Sequence, residues 1–336
     1  MTAKRRILSI DGGGIKGVLP AAFLATIEDA TGKRIAEHFD LIVGTSTGGI
    51  TALGLGLGMS AKQLLDLYVN DGPTIFGRAS ASSCSALDRL SMWCRSILNS
   101  ARHKMMPKYD PAQLRVTLER EFGERSLGQS STRLVIPAYH SDRRDVYVFK
   151  TAHHPRFELD WKVRAVDVAL ATAAAPTYFP AHLVKNGAVL VDGGVWANNP
   201  VGIAVVEAVA VLEWPADSLY VLSIGCTEST YAIPSKPGQI DLAFTQAEIF
   251  LQGQSKGAVG MAKLLTRHSE SNKRLFRYQP SVEHNAFALD GVEHINRLRS
   301  LGAAEARHAL PDLKEIFFSE PVDIFQPRYA RQPHAA

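Results

Sequence analysis

Apolar residues along the chain form short continuous runs that alternate with longer stretches of helical spacing. The runs are rich in Ile, Leu and Val, which is typical of strands buried on both faces of a parallel sheet. They predict strands at Arg6–Ile10, Leu41–Val43, Leu134–Ala138, Val146–Phe149, Val189–Val191 and Leu219–Ile224. Helices are predicted at Leu19–Ala30, Ile50–Leu57, Ala61–Tyr68, Val166–Thr172 and Val201–Leu212, with a mostly helical remainder from about Leu242. This alternation indicates an α/β fold.

The same pattern contains no internal repeat and no linker, so residues 1–326 are predicted to form a single domain. One segment departs from it. Residues 77–108 begin rich in Ser and Ala and then mix Met and Trp with basic side chains. Two interpretations stay open for this segment, a mobile lid over a site or a surface insertion with a solvated basic face. Residues 327–336 are predicted to be a disordered tail.

Composition narrows the class of protein. The 336 residues are 46% hydrophobic and 21% charged, which excludes global disorder. The formal net charge of +4 permits an anionic surface or ligand, and we expect no nucleic-acid polymer as a partner. The chain has three cysteines, without metal-type spacing, which favours a reduced, cytoplasmic protein without a metal. No signal peptide is evident, and the most apolar window contains a glycine-rich serine turn, so membrane contact is expected to be peripheral.

The first of two glycine-rich turns is Asp11–Gly17, directly after the first predicted strand. Backbone N–H groups at such a turn, before a helix, suit a negatively charged oxygen. Residues 12–17 also satisfy the pattern G-x-G-x-x-G of dinucleotide-binding proteins. That function requires an acidic residue at the end of the second strand, whereas Asp40 precedes it. We therefore interpret the turn as an oxyanion site, with Lys16 adding positive charge, and keep dinucleotide binding as the alternative.

The second turn, Gly44–Gly49, follows the strand Leu41–Val43 and places Ser46 between small residues. A nucleophilic serine on a strained strand-to-helix turn needs such small neighbours. The alternative is a serine that caps a helix. A nucleophilic serine needs a base, and no histidine stands in an evident motif. Asp192, at the end of a predicted strand, is the candidate, because partial burial would raise its proton affinity. Its alternative role is to cap the next helix.

Together these motifs resemble the patatin-like phospholipase family, whose pattern is D-G-G-G-x-[KR]-G, then G-x-S-x-G, then D-G-[GA]. Residues 171–180 and 198–200 also resemble family segments, and the resemblance extends over about Arg6 to Gly225. It implies a three-layer α/β/α fold with a mostly parallel central sheet, and a serine acyl hydrolase that cleaves lipid esters without a metal or other cofactor. It implies that Ser46 is the nucleophile, that Asp192 is the base, and that the N–H groups of Gly12, Gly13 and Gly14 bind the oxyanion. The supporting motif residues are Asp11, Lys16, Gly17, Gly44, Gly48, Gly193 and Gly194.

The chain length and the C-terminal region, including Phe276–Tyr278 and Leu298–Leu310, resemble bacterial patatin-like effectors of antiphage signalling by cyclic oligonucleotides. That resemblance implies a cyclic-nucleotide activator, a membrane phospholipid substrate at the inner membrane, and a role in antiviral defence. It also allows a homo-oligomer. A constitutive lipid acyl hydrolase of the same family, without nucleotide control, is the alternative.

Overall fold

The computed structural model describes residues 4–76, 107–230, 239–283 and 286–329, without the side chains of residues 239–247. The strands are β1 Arg5–Ile10, β2 Leu41–Gly44, β3 Arg133–His140, β4 Asp145–Lys150, β5 His182–Leu183, β6 Val189–Asp192, β7 Leu219–Ile224, β8 Glu228–Ser229, β9 Leu275–Tyr278 and β10 Ser281–Val282. The helices are α1 Val18–Thr31, α2 Thr47–Gly56, α3 Ala61–Phe76, α4 Pro111–Phe122, α5 Ala165–Thr172, α6 Gly194–Ala197, α7 Val201–Val206, α8 Gln239–Leu265 and α9 Ile295–Phe317. Short 3-10 turns occupy Gly14–Gly17, Ile35–His38, Leu127–Gln129, Asp160–Lys162, Ala216–Ser218 and Val292–His294, and a π-helical turn, Glu207–Val211, continues α7.

The main sheet has the strand order β5-β6-β3-β2-β1-β7-β9, with β4 also paired to β3. Strands β3, β2, β1, β7 and β9 run parallel to one another. Strands β4 and β6 each pair antiparallel with β3, and β5 pairs antiparallel with β6. The prediction of a mostly parallel central sheet is therefore confirmed.

Alternate residues of the central strands face opposite sides of the sheet, and both faces are buried. Ile7, Val43 and Val221 belong to one apolar cluster, which α7 and α8 cover. Leu8 and Ile42 belong to a larger cluster on the other face, which includes residues of α1, α2 and α9. Burial of both faces explains why these strands read as continuous apolar runs, and it gives the predicted three layers.

Strand β3 determines where the end of β6 lies. Along one edge, β3 pairs with β4 from Val135 to His140. Along the other edge it pairs first with β2, as far as Val135, and then with β6, from Ala138 to His140. Since β6 runs antiparallel to β3, its last residue returns towards the end of β2. The last residues of β1, β2 and β6 therefore lie close together, at the end of the sheet where β1 and β2 finish.

Two predictions fall wholly or partly outside the described residues. Of the segment 77–108 only Pro107 and Lys108 are described, so the lid and the surface insertion both stay predictions. The disordered tail was predicted to begin at residue 327, but hydrogen bonds hold the next two residues against the domain. The N–H of Arg328 donates to the carbonyl of Ala152 at 2.7 Å, and the hydroxyl of Tyr329 donates to that of Pro155 at 2.8 Å. These bonds attach residues up to 329 to the loop after β4, which corrects the start of the tail; residues 330–336 lie outside the description.

Candidate active site

The candidate nucleophile, Ser46, lies in the turn between β2 and α2, with φ 55° and ψ −126°. This region of backbone conformation is unfavourable for any residue with a side chain, so the turn is strained. Its N–H donates to the hydroxyl of Thr172 at 3.0 Å, and that hydroxyl donates to the carbonyl of Pro137 at 2.6 Å. Hydrogen bonds to α5 and β3 therefore hold the serine in its strained conformation.

Glycines beside Ser46 allow the turn to pack against β1. A Cβ atom on Gly48 would lie 2.4 Å from the carbonyl oxygen of Ile10, and one on Gly44 would lie 2.2 Å from that of Gly48. A side chain at either position would clash with backbone. The sequence pattern around Ser46 thus has a packing requirement behind it, which a serine that merely caps a helix would not need.

Asp192, the last residue of β6, accepts a hydrogen bond from the Ser46 hydroxyl to Oδ2 at 2.6 Å. Its Oδ1 accepts from the N–H of Gly194 at 2.6 Å. Asp192 is 4% exposed and Ser46 8%. Burial raises the pKa of Asp192 to about 6, against the opposing effect of these two hydrogen bonds. A carboxylate with that pKa can take a proton from the serine near neutral pH.

No described histidine is a hydrogen-bond partner of Ser46 or Asp192. His140 and His154 are half-buried. His153 is instead buried, and it shares a hydrogen bond of 2.9 Å with Glu207, a residue of the π-helical turn. The described part of the site therefore contains a serine and a carboxylate in direct contact.

The glycine turn after β1 faces this pair. The N–H of Gly12 donates to the carbonyl of Asn198 at 2.9 Å. This bond corrects the assignment of Gly12 to the oxyanion site, because its N–H is already used within the chain. Among the described residues, the N–H groups of Gly13 and Gly14 have no acceptor. They are the two amides that an oxyanion could use.

Tight packing surrounds these glycines. A Cβ on Gly13 would lie 2.3 Å from Sγ of Cys226, and one on Gly14, whose φ is +57°, would lie 2.2 Å from the carbonyl oxygen of Leu289. That oxygen also accepts a hydrogen bond from the N–H of Ile15 at 2.8 Å. The N–H of Ile15, the first after the glycines, is thus bonded within the chain and is not available to a phosphate oxygen. This argues against a pyrophosphate in the turn and so against the dinucleotide alternative.

The remaining motif residues are structural neighbours of the site. Asp11 forms a buried ion pair with Arg277 of β9. Lys16 is half-buried and has no ion-pair partner among the described residues, so its charge stays available near the glycine turn. Gly17 packs on Thr47, where a Cβ would lie 3.1 Å from that side chain, and Gly193 packs on the carbonyl of Pro137.

Two contributors to this site, Thr172 and Arg277, could not be assigned from the sequence alone. Thr172 ends a predicted helix and lies in a family-like segment, but its bond to the N–H of Ser46 depends on where Ser46 lies in the fold. Arg277 lies in β9, a strand that the prediction of a mostly helical C-terminal region did not contain. Its position two residues into a short apolar run gave no signal of a partner 266 positions away.

The fold and the site together define a class, α/β proteins with a serine on a strained turn between a strand and a helix, a contacting carboxylate and a glycine-rich loop. The chain belongs to the patatin-like phospholipase family, whose model matches residues 8–205.

Three relatives are named cGAMP-activated phospholipase. The one from Pseudomonas aeruginosa is 40% identical over 222 residues, which cover 65% of this chain and 61% of that protein. The one from Escherichia coli is 32% identical over 283 residues, 80% of this chain and 75% of that protein. The one from Vibrio cholerae is 34% identical over 242 residues, 68% of this chain and 66% of that protein. The chain thus spans less than two thirds of the first relative's length.

Proposed function

We propose that the protein is a serine acyl hydrolase of the phospholipase A type, which cleaves fatty-acyl esters of membrane phospholipids. The observation that carries this proposal is the contact of 2.6 Å between Oγ of Ser46 and Oδ2 of the buried Asp192. Family membership supports the substrate class, and the names of three relatives support it further.

In the proposed reaction, Oγ of Ser46 attacks the ester carbonyl while Asp192 accepts the hydroxyl proton. The N–H groups of Gly13 and Gly14 stabilise the negative charge that develops on the carbonyl oxygen. The tetrahedral intermediate collapses, Asp192 returns the proton to the departing lysophospholipid oxygen, and the acyl group stays on Ser46. Water, deprotonated by Asp192, then attacks the acyl-enzyme; as this second intermediate collapses, Asp192 returns the proton to Oγ of Ser46 and the fatty acid is released.

The state of Asp192 supports its role in both steps. Its pKa of about 6 keeps most of the carboxylate ionised at neutral pH, so it can accept a proton. The same value is high enough for the protonated form to act as the acid in the next step. A fully solvated aspartate, with its lower pKa, would be a weaker base.

We further propose that the protein acts in the cytoplasm on the inner membrane, as a peripheral protein, and that a cyclic oligonucleotide activates it in antiviral defence. The names of the three relatives support the activator. No helix in the described ranges is long and apolar enough to cross a bilayer. A phospholipase without control would attack the membrane of its own cell, so activation by a signal is physically sensible.

The test is the release of fatty acid from vesicles of mixed phospholipids, with cGAMP and with a panel of other cyclic di- and trinucleotides at micromolar concentration. We expect hydrolysis that depends on one of these nucleotides and that is absent in Ser46→Ala. Full hydrolysis without any nucleotide, together with no binding by calorimetry, would contradict the activator but leave the hydrolase. No hydrolysis of any phospholipid or short-chain ester under any condition would contradict the hydrolase.

A further inference from the structure

A bidentate ion pair joins the start of the glycine turn to the C-terminal part of the sheet. Nη1 of Arg277 donates to Oδ1 of Asp11 at 2.8 Å, and Nη2 donates to Oδ2 at 2.6 Å. The carboxylate side chain is 3% exposed and the guanidinium side chain 15%. Two parallel bonds between planar groups fix the orientation as well as the distance of both partners.

Two further side chains, one on β7 and one directly after β9, hold the guanidinium in place. Nη1 of Arg277 also donates to Oγ of Ser223 at 2.8 Å, and Nη2 donates to Oε1 of Gln279 at 2.7 Å. Ser223 lies on β7, opposite Arg277 in the parallel register of β7 and β9. The guanidinium is therefore a fixed point of the sheet, to which Asp11 is attached.

The same C-terminal region also holds the other end of the glycine turn. Leu289 accepts the hydrogen bond from Ile15 and lies against Gly14, as described above. Asp11 and Ile15 flank the three glycines, so contacts from residues 277 and 289 fix both ends of the loop. Arg277 and Leu289 both lie outside residues 8–205, which the family model matches.

Charge gives the ion pair a second effect. Asp11 is the residue next to Gly12, and an unpaired carboxylate there would repel the negative charge that develops on the oxyanion. In a buried site such repulsion is stronger than in water. The guanidinium neutralises it and makes the buried carboxylate tolerable, since a buried charge that loses its partner is strongly unfavourable.

We propose that Arg277 is a positioning residue for the oxyanion site: through Asp11 it fixes the glycine turn and neutralises the charge beside it. This proposal rests on the proposed acyl hydrolysis. It predicts that loss of the guanidinium weakens stabilisation of the transition state while it leaves substrate binding largely unchanged.

The experiment measures kcat and KM for a short-chain ester, with kcat expressed per active serine titrated by a fluorophosphonate. For Arg277→Gln we expect kcat to fall on the order of 10- to 100-fold, with KM changed less than about threefold, because small displacements of the donors cost this much. The double variant Asp11→Asn with Arg277→Gln is expected to recover part of the loss, because no buried charge remains without a partner. Arg277→Lys keeps the charge, and its kcat should lie between that of Arg277→Gln and that of the wild type.

The matched control is Arg120→Gln. Arg120 forms a bidentate ion pair with Asp71 as well, at 3.1 and 2.7 Å, but on the exposed surface between α3 and α4. We expect its kcat per titrated serine to equal that of the wild type. If Arg277→Gln and Arg277→Lys also keep kcat per titrated serine within twofold, the ion pair is merely structural and the proposal is overturned. Wild-type protein that neither hydrolyses the ester nor reacts with the probe would instead overturn the proposed function, and this inference with it.

Discussion

Ser46 and Asp192 lie 146 positions apart in the sequence, and a hydrogen bond of 2.6 Å joins their side chains. The contact depends on β3, which pairs first with β2 and then with β6 along the same edge. Because β6 pairs with β3 on the side that β2 leaves free beyond its last residue, the end of β6 lies against the turn that follows β2. The topology of the sheet therefore brings these two side chains together.

Two substitutions at Ser46 separate chemistry from backbone strain. Both Ser46→Ala and Ser46→Gly should lower kcat by on the order of 10⁴-fold or more, because each lacks the nucleophile. Ser46→Gly should nevertheless be more stable than Ser46→Ala by about 1 kcal/mol, since glycine adopts φ 55° and ψ −126° without strain. Ester hydrolysis and thermal unfolding of the two variants check this. Near-normal hydrolysis by either one would remove Ser46 from the mechanism.

The pH dependence of kcat should show an acid limb. Asp192 accepts a proton only when it is ionised, and burial raises its pKa to about 6. Activity is therefore expected to rise as the pH increases from 5 to 7, with an apparent pKa near 6. The measurement is kcat for a short-chain ester across this range, with protein shown to stay folded throughout. A profile that is flat from pH 5 to 7 would be inconsistent with Asp192 as the base.

Asp192→Asn should be inactive, and its stability should respond differently to pH. The pKa of Asp192 is raised in the folded protein from an ordinary 3.8 to about 6, so the folded state holds this proton more tightly than the unfolded state. Wild-type stability is therefore expected to fall as the pH rises from 3.8 to 6, by about 3 kcal/mol from this group. Asparagine has no proton to lose, so the variant should lack this component.

Urea unfolding of wild type and Asp192→Asn between pH 4 and 7 measures the difference directly. The variant is expected to gain stability relative to the wild type across this window. If the difference between the two free energies of unfolding stays constant with pH, the carboxyl of Asp192 has an ordinary pKa.

A pair of glycine substitutions tests the close packing beneath Ser46. Gly48→Ala places a Cβ 2.4 Å from the carbonyl of Ile10 and should cost about 3 kcal/mol or more in the free energy of unfolding. Gly253→Ala, within α8, meets nothing within 4 Å and should be stabilising by up to about 1 kcal/mol. The measurement is the melting temperature of each variant in thermal unfolding. Equal melting temperatures for the two variants would mean that the turn has room for a side chain.

The central strands could be predicted from the sequence because their signal is local. β1, β2 and β7 are apolar runs of Ile, Leu and Val, and the predicted bounds agree with the structure to within one residue. The two glycine-rich turns follow directly from β1 and β2, so their position at one edge of the sheet could be predicted with them. Local chemistry was thus sufficient for the loops that carry Ser46 and the glycines.

Other parts of the fold depend on contacts that local patterns do not contain. β9 is four residues long and includes Arg277, whose charge interrupts the apolar run until Asp11 is known to neutralise it. Helix α4 was missed although Asp110 accepts a hydrogen bond from Ala112 and Pro111 begins the helix, a cap signal that the sequence does contain. The use of the Gly12 amide by Asn198 depends on a chain segment far along the sequence, which no spacing rule places.

The most direct test of the central claim is mass spectrometry of the lipids released from phospholipid vesicles by wild type, Asp192→Asn and His153→Ala, each assayed with the proposed cyclic-nucleotide activator. Wild type and His153→Ala should release fatty acid and lysophospholipid, because a dyad needs no histidine, while Asp192→Asn should release neither above background. Release by Asp192→Asn at the wild-type rate, or its loss in His153→Ala from folded protein, would contradict a reaction carried by Ser46 and Asp192.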